Sequence, residues 1–377
     1  MKILNLDTNS YEVVRKIESP QTKIEQLLHL LYCYENSIYE TLYDKNQPIL
    51  KSYVQSLKEV KETNEQFLFF TSGTTGNPTG AFKTKENLEL EVKELVDILS
   101  AYAIQRVVVT VPFVHLYGVN VGALLSKYLH VELVVKENFL LEELIEQAQK
   151  RDTLVVTTPL FIKALNRLKK DVEFKNALFI TSTSPLQQSD AKEFKEHYNS
   201  TVMQIFGSTE SGAIAYKFDD NKIWRAFKSV EISSKNEMLE VTSPFISRKL
   251  LNEKVQTVEL PFKSEDIVNI VSEKEFILVG RDSSLIKIAG KRFSTLQIES
   301  IVESLPEVNS AIVKVKRDDK ALKDEIVEIY IEQNEDFNHK KVRELFLKNF
   351  GSTHIPYKLH VVQKILFSSV GKKIGFE

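Results

Sequence analysis

The chain is poor in cysteine and in glycine, and neither sign of charge is in large excess. Its one cysteine, Cys33, excludes an intramolecular disulfide and a cysteine-cluster metal site. With 50 basic and 52 acidic residues, the net charge is −2, so no basic surplus indicates nucleic acid. No apolar run is long enough to span a bilayer, and the first residues lack a signal-peptide pattern. The composition favours a globular protein of the cytoplasm.

The few glycines are concentrated in short segments. Nine of the 12 are Gly73, Gly76, Gly80, Gly118, Gly207, Gly212, Gly280, Gly290 and Gly371. Residues 71–80 read TSGTTGNPTG, between an apolar run at 67–70 and a helical pattern that begins near Thr84. A strand, a loop of glycines and hydroxyls, and a helix are typical of a phosphate-binding loop. The residues predicted to cradle phosphate are Thr71, Ser72, Gly73, Thr74, Thr75 and Gly76.

Apolar runs alternate with amphipathic segments through the first half of the chain. The runs lie at 107–109, 133–135, 154–156, 178–180 and 202–206. Helical patterns lie near 86–101, 118–128, 140–150, 159–169 and 186–198. This alternation predicts an α/β fold with a mostly parallel sheet. Ligands bind at the carboxyl ends of such strands, so Thr71, residues 181–182 and residues 207–208 are expected there.

The two ends of the chain have other patterns. Residues 1–65 are polar with some helical spacing, and we expect them to form a mostly helical lead-in. Residues 285–377 predict a small α+β unit, with strands at 285–288, 291–293, 308–316, 324–332 and 358–363, and helices near 295–304 and 338–349. We therefore predict a large N-terminal domain, residues 1–282, and a small, mobile C-terminal domain, residues 283–377.

Further segments carry residue types that suit nucleotide chemistry. They are PFVHLYG at 112–118, STSPL at 182–186, FGSTE at 206–210, FKSED at 262–266, GRDSSLIKIAGKR at 280–292 and LFSSVGKKI at 366–374. An aromatic ring such as that of Phe206 can stack on adenine. A hydroxyl such as that of Thr209 can donate to a phosphate oxygen, and a carboxylate such as that of Glu210 can hold Mg²⁺.

Taken in order, these segments resemble the adenylate-forming superfamily of acyl-CoA synthetases, peptide-synthetase adenylation domains and luciferases, over about residues 67–376. The resemblance implies a ligase that makes acyl-AMP from a small carboxylic acid and Mg·ATP. The acyl group would then pass to coenzyme A or to the phosphopantetheine of an acyl carrier protein. Two alternatives remain open: a non-catalytic relative that binds nucleotide or acyl group, and an acyl-protein synthetase that acylates a protein side chain.

The resemblance also assigns roles to single residues. Lys372 would neutralise charge in the adenylation transition state, and the adjacent Lys373 is the one-residue alternative. Thr209 would contact the α-phosphate, Glu210 would bind Mg²⁺, and His115 would lie beside the acyl pocket. The other nucleotide contacts that the resemblance implies are Ser184, Phe206, Gly207, Ser208, Asp266, Arg281 and Arg292.

The chain departs from the family pattern at several positions. Only about 70 residues precede the phosphate loop, which predicts an N-terminally shortened member. Thr79 stands where a lysine is usual, and Lys83 or Lys85 could supply the missing cation. Ser283 occupies the hinge, and Gly290 lies on the loop that serves thioester formation. The pocket segment offers no carboxylate to pair an ammonium, which favours a fatty, aryl or aryl-acrylic acid over an amino acid.

Other residues replace the family's glycines near the nucleotide. Residues 182–184 read Ser-Thr-Ser where the family has Gly-Gly-Ala, so we expect a turn of a different shape. Ser264 and Glu265 precede the aspartate in place of Thr-Gly. Asp266 would still accept the two ribose hydroxyls, a role that suits an acceptor-only carboxylate. Arg281 would contact ribose or phosphate.

Overall fold

The structure, a computed structural model, describes residues 1–57, 65–71, 78–282, 285–288, 291–316, 326–333, 338–351, 355–369 and 371–377. These residues form two compact units. The first comprises Met1–Ser233, Glu240–Lys263 and Val271–Phe276, and the second Ser234–Leu239, Ser264–Ile270 and Ile277–Glu377. The second unit thus takes in short segments that precede residue 283, and the division into domains at that residue stays a prediction.

The first unit begins with short strands and two helices. They are β1 (Ile3–Asn5), β2 (Ser10–Glu12), α1 (Lys23–Glu35), β3 (Glu40–Leu42), α2 (Pro48–Ser56), β4 (Phe67–Thr71) and β5 (Thr79–Lys83). A capping box starts α1, because Thr22 and Glu25 each accept the other's backbone N–H. The prediction of a mostly helical lead-in is wrong in part, since β1, β2 and β3 interrupt it. A three-residue strand shows too little periodicity to be read from sequence.

Strands and helices then alternate as the apolar pattern predicts. They are α3 (Lys85–Leu99), β6 (Arg106–Val109), a π-helical segment (Gly118–Leu124), α4 (Leu125–Tyr128), β7 (Glu132–Val135), α5 (Leu141–Ala148), β8 (Thr153–Thr157), α6 (Pro159–Leu168), β9 (Ala177–Thr181), α7 (Gln188–Tyr198) and β10 (Thr201–Ser208). The strands pair in parallel in the order β10-β9-β8-β6-β7-β1. The α/β class with a mostly parallel sheet is confirmed.

Aromatic packing fixes one face of this sheet. Phe174 stacks on Tyr198 with ring centroids 4.8 Å apart, and Phe179 meets Phe194 edge-on at 4.8 Å. All four side chains are buried in one cluster with residues of α5, α6 and α7. The Tyr198 hydroxyl donates to the Leu165 carbonyl at 2.6 Å, so its burial leaves no unpaired hydroxyl. This core gives the loops at the carboxyl edge a rigid base.

A second sheet, β3-β4-β5 extended by β15 (Lys249–Leu251) and β16 (Val255–Thr257), holds the phosphate-loop segment. β4 and β5 are antiparallel, with Thr71 opposite Thr79. The predicted order of strand, loop and helix is therefore wrong, because β5 intervenes before α3. Thr71 also does not lie at the edge of the parallel sheet. The buried Ala81 and Phe82 explain why residues 79–83 form a strand.

The remaining strands of the middle of the chain are β11 (Gly212–Phe218), β12 (Ile223–Ala226), β13 (Glu231–Lys235), β14 (Met238–Thr242), β17 (Phe262–Ser272) and β18 (Glu275–Arg281). β11 pairs antiparallel with β10 and with β12. The sheet thus ends its parallel order at β10, and the turn from β10 to β11 lies at its carboxyl edge.

The C-terminal elements include every strand and helix that the sequence predicts there, with bounds that agree to within two residues. They are β19 (Leu285–Ile288), β20 (Lys291–Ser294), α8 (Thr295–Glu303), β21 (Val308–Lys316), β22 (Ile326–Gln333), α9 (His339–Phe350), β23 (Tyr357–Val362), β24 (Ile365–Phe367) and β25 (Lys373–Phe376). α8 and α9 share a buried cluster with β21 and β22. The hairpin of β24 and β25 was not predicted. Among the described helices, none combines the length and the apolar character needed to cross a membrane.

Candidate active site

The phosphate-loop segment is closed at its base by the pairing of Thr71 with Thr79. The predicted phosphate-binding residues between them, Ser72, Gly73, Thr74, Thr75 and Gly76, lie outside the described residues. The Thr79 hydroxyl donates to Asn252 Oδ1 at 2.8 Å. Thr79, which stands where the family has a lysine, is therefore hydrogen-bonded to the connection between β15 and β16.

The two lysines that could replace this cation have other partners. Lys83 is 1% exposed, and its Nζ donates to the Phe245 carbonyl at 2.6 Å and to the Glu210 carbonyl at 3.3 Å. Lys85 Nζ donates to the Tyr34 carbonyl at 3.3 Å and lies 4.6 Å from the centre of the Tyr34 ring. These contacts do not support a phosphate-facing role for either lysine.

Phe206, the predicted adenine-stacking ring, belongs to an aromatic group at the end of β10. Its ring centre lies 5.5 Å from that of Trp224 and 5.8 Å from that of Phe276. Phe206 is half-buried, whereas Trp224 and Phe276 are buried. At Gly207 a Cβ atom would lie 2.2 Å from the Gly212 carbonyl oxygen, so the close approach of β10 and β11 requires glycine.

In the turn after β9, a residue other than glycine has a backbone conformation that favours glycine. Thr183 has a φ of +79°, in the left-handed region that a β-branched residue rarely adopts. The Ser182 hydroxyl donates to the Ile205 carbonyl of β10 at 2.9 Å, and Ser184 is half-buried. Thr183 therefore has a backbone conformation that favours glycine, and a turn shaped differently from that of the family stays a prediction.

Thr183→Gly is expected to raise the free energy of unfolding by about 1 kcal/mol relative to Thr183→Ala, because alanine keeps the strained Cβ and glycine relieves it. Both variants lose the hydroxyl, so their difference isolates the backbone term. Urea unfolding followed by far-ultraviolet circular dichroism measures it. Equal stability of the two variants would mean that Thr183 carries no backbone strain.

The segment with His115 lies over the carboxyl ends of β8 and β9. The Tyr117 hydroxyl donates to the Thr157 carbonyl at 3.0 Å and to the Ile180 carbonyl at 2.7 Å. Burial raises the pKa of Tyr117 well above its ordinary value, so the phenol stays protonated as a donor. His115 is half-buried, and its carbonyl accepts the Val119 N–H at 3.0 Å. The His115 segment therefore lies at the carboxyl edge of the parallel sheet, and its place beside an acyl pocket stays a prediction.

The turn between β10 and β11 carries Thr209 and Glu210, whose side chains are half-buried. The Glu210 carbonyl accepts the Ser247 N–H at 2.8 Å in addition to Lys83. Ser208 and Ser211 brace the turn, because the hydroxyl of each accepts the backbone N–H of the other at 3.1 and 3.0 Å. These hydrogen bonds fix the main chain of the turn between β10 and β11.

In the second unit, Asp266 and Arg281 form an ion pair. Arg281 Nε lies 3.2 Å from Asp266 Oδ1. The Ser264 hydroxyl donates to Asp266 Oδ2 and accepts the Asp266 N–H at 3.1 Å. The Asp266 side chain is 9% exposed and that of Arg281 is 44% exposed. Two residues predicted to contact the nucleotide are thus brought together, with the arginine open to solvent.

The adjacent lysines of the last hairpin, Lys372 and Lys373, have different surroundings. Lys373 is held by Glu299 Oε2 at 2.6 Å, Glu303 Oε1 at 2.7 Å and the Ala311 carbonyl at 2.6 Å. Burial lowers the pKa of Lys373, but the two glutamates more than offset that effect and hold it above its ordinary value. Lys372 is exposed on the turn, where its N–H donates to Ser368 Oγ at 3.1 Å. The lysine predicted from the motif is the accessible one.

Other predicted positions fall beyond the description. Ser283 and Gly290 lie outside the described residues. Lys287 and Arg292 face each other in the pairing of β19 with β20, but only their backbones are described. Their roles, like those of the other site residues, stay predictions.

A further cluster, away from the predicted motifs, has the composition of a metal site. Ligand atoms of His29, Cys33 and Glu40 lie within 4.8 Å of one another. However, His29 Nδ1 accepts the Ile17 N–H at 3.2 Å, so the neutral ring carries its proton on Nε2, which faces Glu40 at 3.2 Å. Burial and Glu40 raise the pKa of Cys33 to about 12, which keeps a thiol rather than a thiolate. The cluster is better described as a hydrogen-bonded group.

The sequence does not reveal the structural roles of several residues that shape the site. Trp224 supports Phe206, Tyr117 holds the His115 segment, and Lys83 holds the Glu210 turn. Tyr117 lies inside a motif, so its position gives a signal. Trp224 gives none, and the sequence suggests Lys83 only as a replacement for the missing loop cation.

Comparisons with known proteins find matches that cover most of the chain. A family model described as AMP-binding enzyme matches residues 6–242. The 2-succinylbenzoate–CoA ligase of Listeria monocytogenes serotype 4b (strain F2365) is 24% identical over 320 residues, which are 81% of this chain and 68% of that protein. The oxalate–CoA ligase of Saccharomyces cerevisiae is 23% identical over 344 residues, which are 83% of this chain and 62% of that protein. The chain thus spans about two thirds of the length of these curated relatives.

Among solved structures, the o-succinylbenzoate CoA synthetase of Bacillus subtilis, in complex with the acyl-adenylate intermediate OSB-AMP, aligns with a TM-score of 0.73. The alignment covers 95% of this chain and 81% of that chain at 17% identity. At this identity the likeness shows a shared fold.

Proposed function

Because the chain belongs to the AMP-binding enzyme family, as its motifs predict, we propose that it is an AMP-forming acid–thiol ligase. The family match covers the phosphate-loop segment and the segments of His115 and Glu210. In the first half-reaction a carboxylate oxygen attacks the α-phosphorus of ATP, and pyrophosphate leaves. In the second, a thiolate sulfur attacks the acyl carbon of acyl-AMP, and AMP leaves.

One observation carries the proposal: three predicted segments meet at the carboxyl edge of the parallel sheet in the first unit. Tyr117 ties the pocket segment to the ends of β8 and β9. Ser182 ties the next turn to β10, where Phe206 and Glu210 follow. This edge is where α/β sheets bind ligands. A nucleotide base on Phe206 would lie beside the Thr209–Glu210 turn.

The residues on this turn fit a magnesium ion. Mg²⁺ prefers hard oxygen ligands and is usually held by one or two carboxylates together with water and substrate phosphates. Glu210 offers one half-buried carboxylate, and Thr209, the residue before it in the sequence, offers a hydroxyl. When bound there, the ion would neutralise phosphate charge. Glu210 is accordingly proposed as the metal-binding residue, and Thr209 as the donor to the α-phosphate.

In the second unit, Asp266 is proposed to accept the ribose hydroxyls. Ser264 and Arg281 fix the orientation of its carboxylate, so it is preorganised for two donors. Lys372 is proposed to supply positive charge to the transition state of adenylation. Its exposure supports this choice over Lys373, whose ammonium is already surrounded by three acceptors.

The acid is proposed to be fatty or aryl. The pocket segment presents His115 between Val114 and Leu116 and contains no carboxylate for an α-ammonium. The name of the Listeria relative gives that enzyme an aryl acid, 2-succinylbenzoate, as substrate. The acceptor is proposed to be coenzyme A or a carrier-protein phosphopantetheine, and the location the cytoplasm.

Pyrophosphate release from Mg·ATP tests the proposal. The purified protein is given fatty, aryl, dicarboxylic and amino acids, each with no acceptor, with coenzyme A or with holo acyl carrier protein. Release that depends on a fatty or aryl acid, and is accelerated by one thiol, is the expected result. ATP binding without release for any acid would favour the non-catalytic relative. Release without stimulation by either thiol would favour acyl transfer to a protein side chain.

A further inference from the structure

A buried lysine and a buried glutamate lie behind the Glu210 turn. Lys83 is the last residue of β5, the strand that follows the phosphate-loop segment, and Glu91 lies in the first half of α3. They are 1% and 5% exposed. Burying either charge alone would be costly, so such groups are normally found with partners.

Both side chains contact the main chain of the turn. Lys83 Nζ donates to the Glu210 carbonyl at 3.3 Å and to the Phe245 carbonyl at 2.6 Å. Glu91 Oε2 accepts the Ala213 N–H at 3.1 Å. The turn is thus held at its middle by the amino group of Lys83 and at its end by the carboxyl group of Glu91.

The backbone between these two contacts is shaped to admit the glutamate. Gly212 has a φ of +70°, and a Cβ atom there would lie 2.6 Å from Glu91 Oε2 and 2.7 Å from Phe245 Cβ. Glycine at this position lets the carboxylate reach the Ala213 N–H. The turn and Glu91 are therefore fitted to each other.

We infer that Lys83 and Glu91 are positioning residues that hold the Glu210 carboxylate in place to bind Mg·ATP. The inference rests on the proposed function, because it assigns a purpose to the metal-binding turn. Both residues lie in β5 and α3, which follow the phosphate-loop segment in the chain, and both contact the Glu210 turn. They therefore connect the phosphate-loop segment with the Glu210 turn, the two segments proposed to contact the phosphates.

An apolar side chain of similar length at position 83 could bind neither the Glu210 carbonyl nor the Phe245 carbonyl.

Isothermal titration calorimetry at pH 7 tests the inference, with ATP in excess Mg²⁺ and ATP in a chelator. Lys83→Met is expected to weaken Mg·ATP binding about tenfold, the effect of losing one charge-assisted hydrogen bond, and to leave metal-free ATP binding unchanged. Lys83→Arg, which keeps a cation and donors, is expected to restore most of the affinity. If Lys83→Met does not fold, Glu91→Gln is measured in its place and is expected to show the same selective loss.

A matched control is Lys23→Met. Lys23 is also a buried lysine whose Nζ donates to a backbone carbonyl, that of Val109 at 2.7 Å, and its contacts with the described residues do not include the Glu210 turn. Its replacement should change neither affinity. Equal losses with and without Mg²⁺ in Lys83→Met, or no loss, would overturn the inference. Failure of the wild type to bind Mg·ATP at all would instead contradict the proposed function.

Discussion

Lys372→Ala is expected to slow acyl-adenylate formation by about a hundredfold to a thousandfold, the range for removing one preorganised charge contact in a transition state. Affinity for Mg·ATP should change little, because the lysine is proposed to act mainly on charge that develops during the reaction. The structure supports the choice of residue, since Lys372 is exposed on the turn between β24 and β25. Single-turnover release of pyrophosphate, together with an ATP titration, measures both quantities.

Two neighbouring lysines serve as controls for this prediction. Lys364 is exposed just before β24, and Lys364→Ala should leave the rate unchanged. Lys373→Met should instead destabilise the protein by about 3–5 kcal/mol, because it leaves Glu299 and Glu303 buried without their cation. A full rate in Lys372→Ala would exclude it from the transition state. Loss of rate in a stably folded Lys373→Met would transfer the role to that residue.

The sequence predicted the central sheet well because its strands carry their own signal. Parallel strands covered on both faces read as continuous apolar runs, and residues 107–109 and 154–156 are fully buried as that pattern requires. The same pattern correctly predicted residues 181–182 and 207–208 at the carboxyl ends of strands, but it placed Thr71 there wrongly. In each case the information is local, since a few adjacent residues determine both burial and direction.

What the sequence did not reveal depends on partners far along the chain. β1 exists because it pairs with β7, about 130 residues later. Strand β5 forms because it pairs with β4, whereas the sequence predicts that the phosphate loop leads directly into a helix. The positive φ of Thr183 contradicts the preference of its side chain and is imposed by the surrounding fold. Lys83 looks like a surface residue until Phe245 and Glu210 are brought beside it.

Glu210→Gln is expected to reduce adenylation at low Mg²⁺ by a factor of about 100 or more, because a neutral amide replaces the one carboxylate proposed to hold the metal. The Mg²⁺ concentration for half-maximal rate should rise, and high Mg²⁺ should recover part of the activity. Lys83 and Ser247 bind the Glu210 backbone, which the substitution keeps, so the turn should retain its fold. Pyrophosphate release across a Mg²⁺ titration measures the shift.

Glu193→Gln is the matched control, since Glu193 is an exposed carboxylate on α7 that pairs with Lys169 at 3.2 Å. It should leave the Mg²⁺ dependence as in the wild type. If Glu210→Gln also kept the wild-type half-saturation, another carboxylate would have to bind the metal. Comparison with Lys83→Met then separates the two contributions to the same turn. Because Glu210 would touch the ion while Lys83 acts through the Glu210 backbone, the shift in Mg²⁺ dependence should be the larger one in Glu210→Gln.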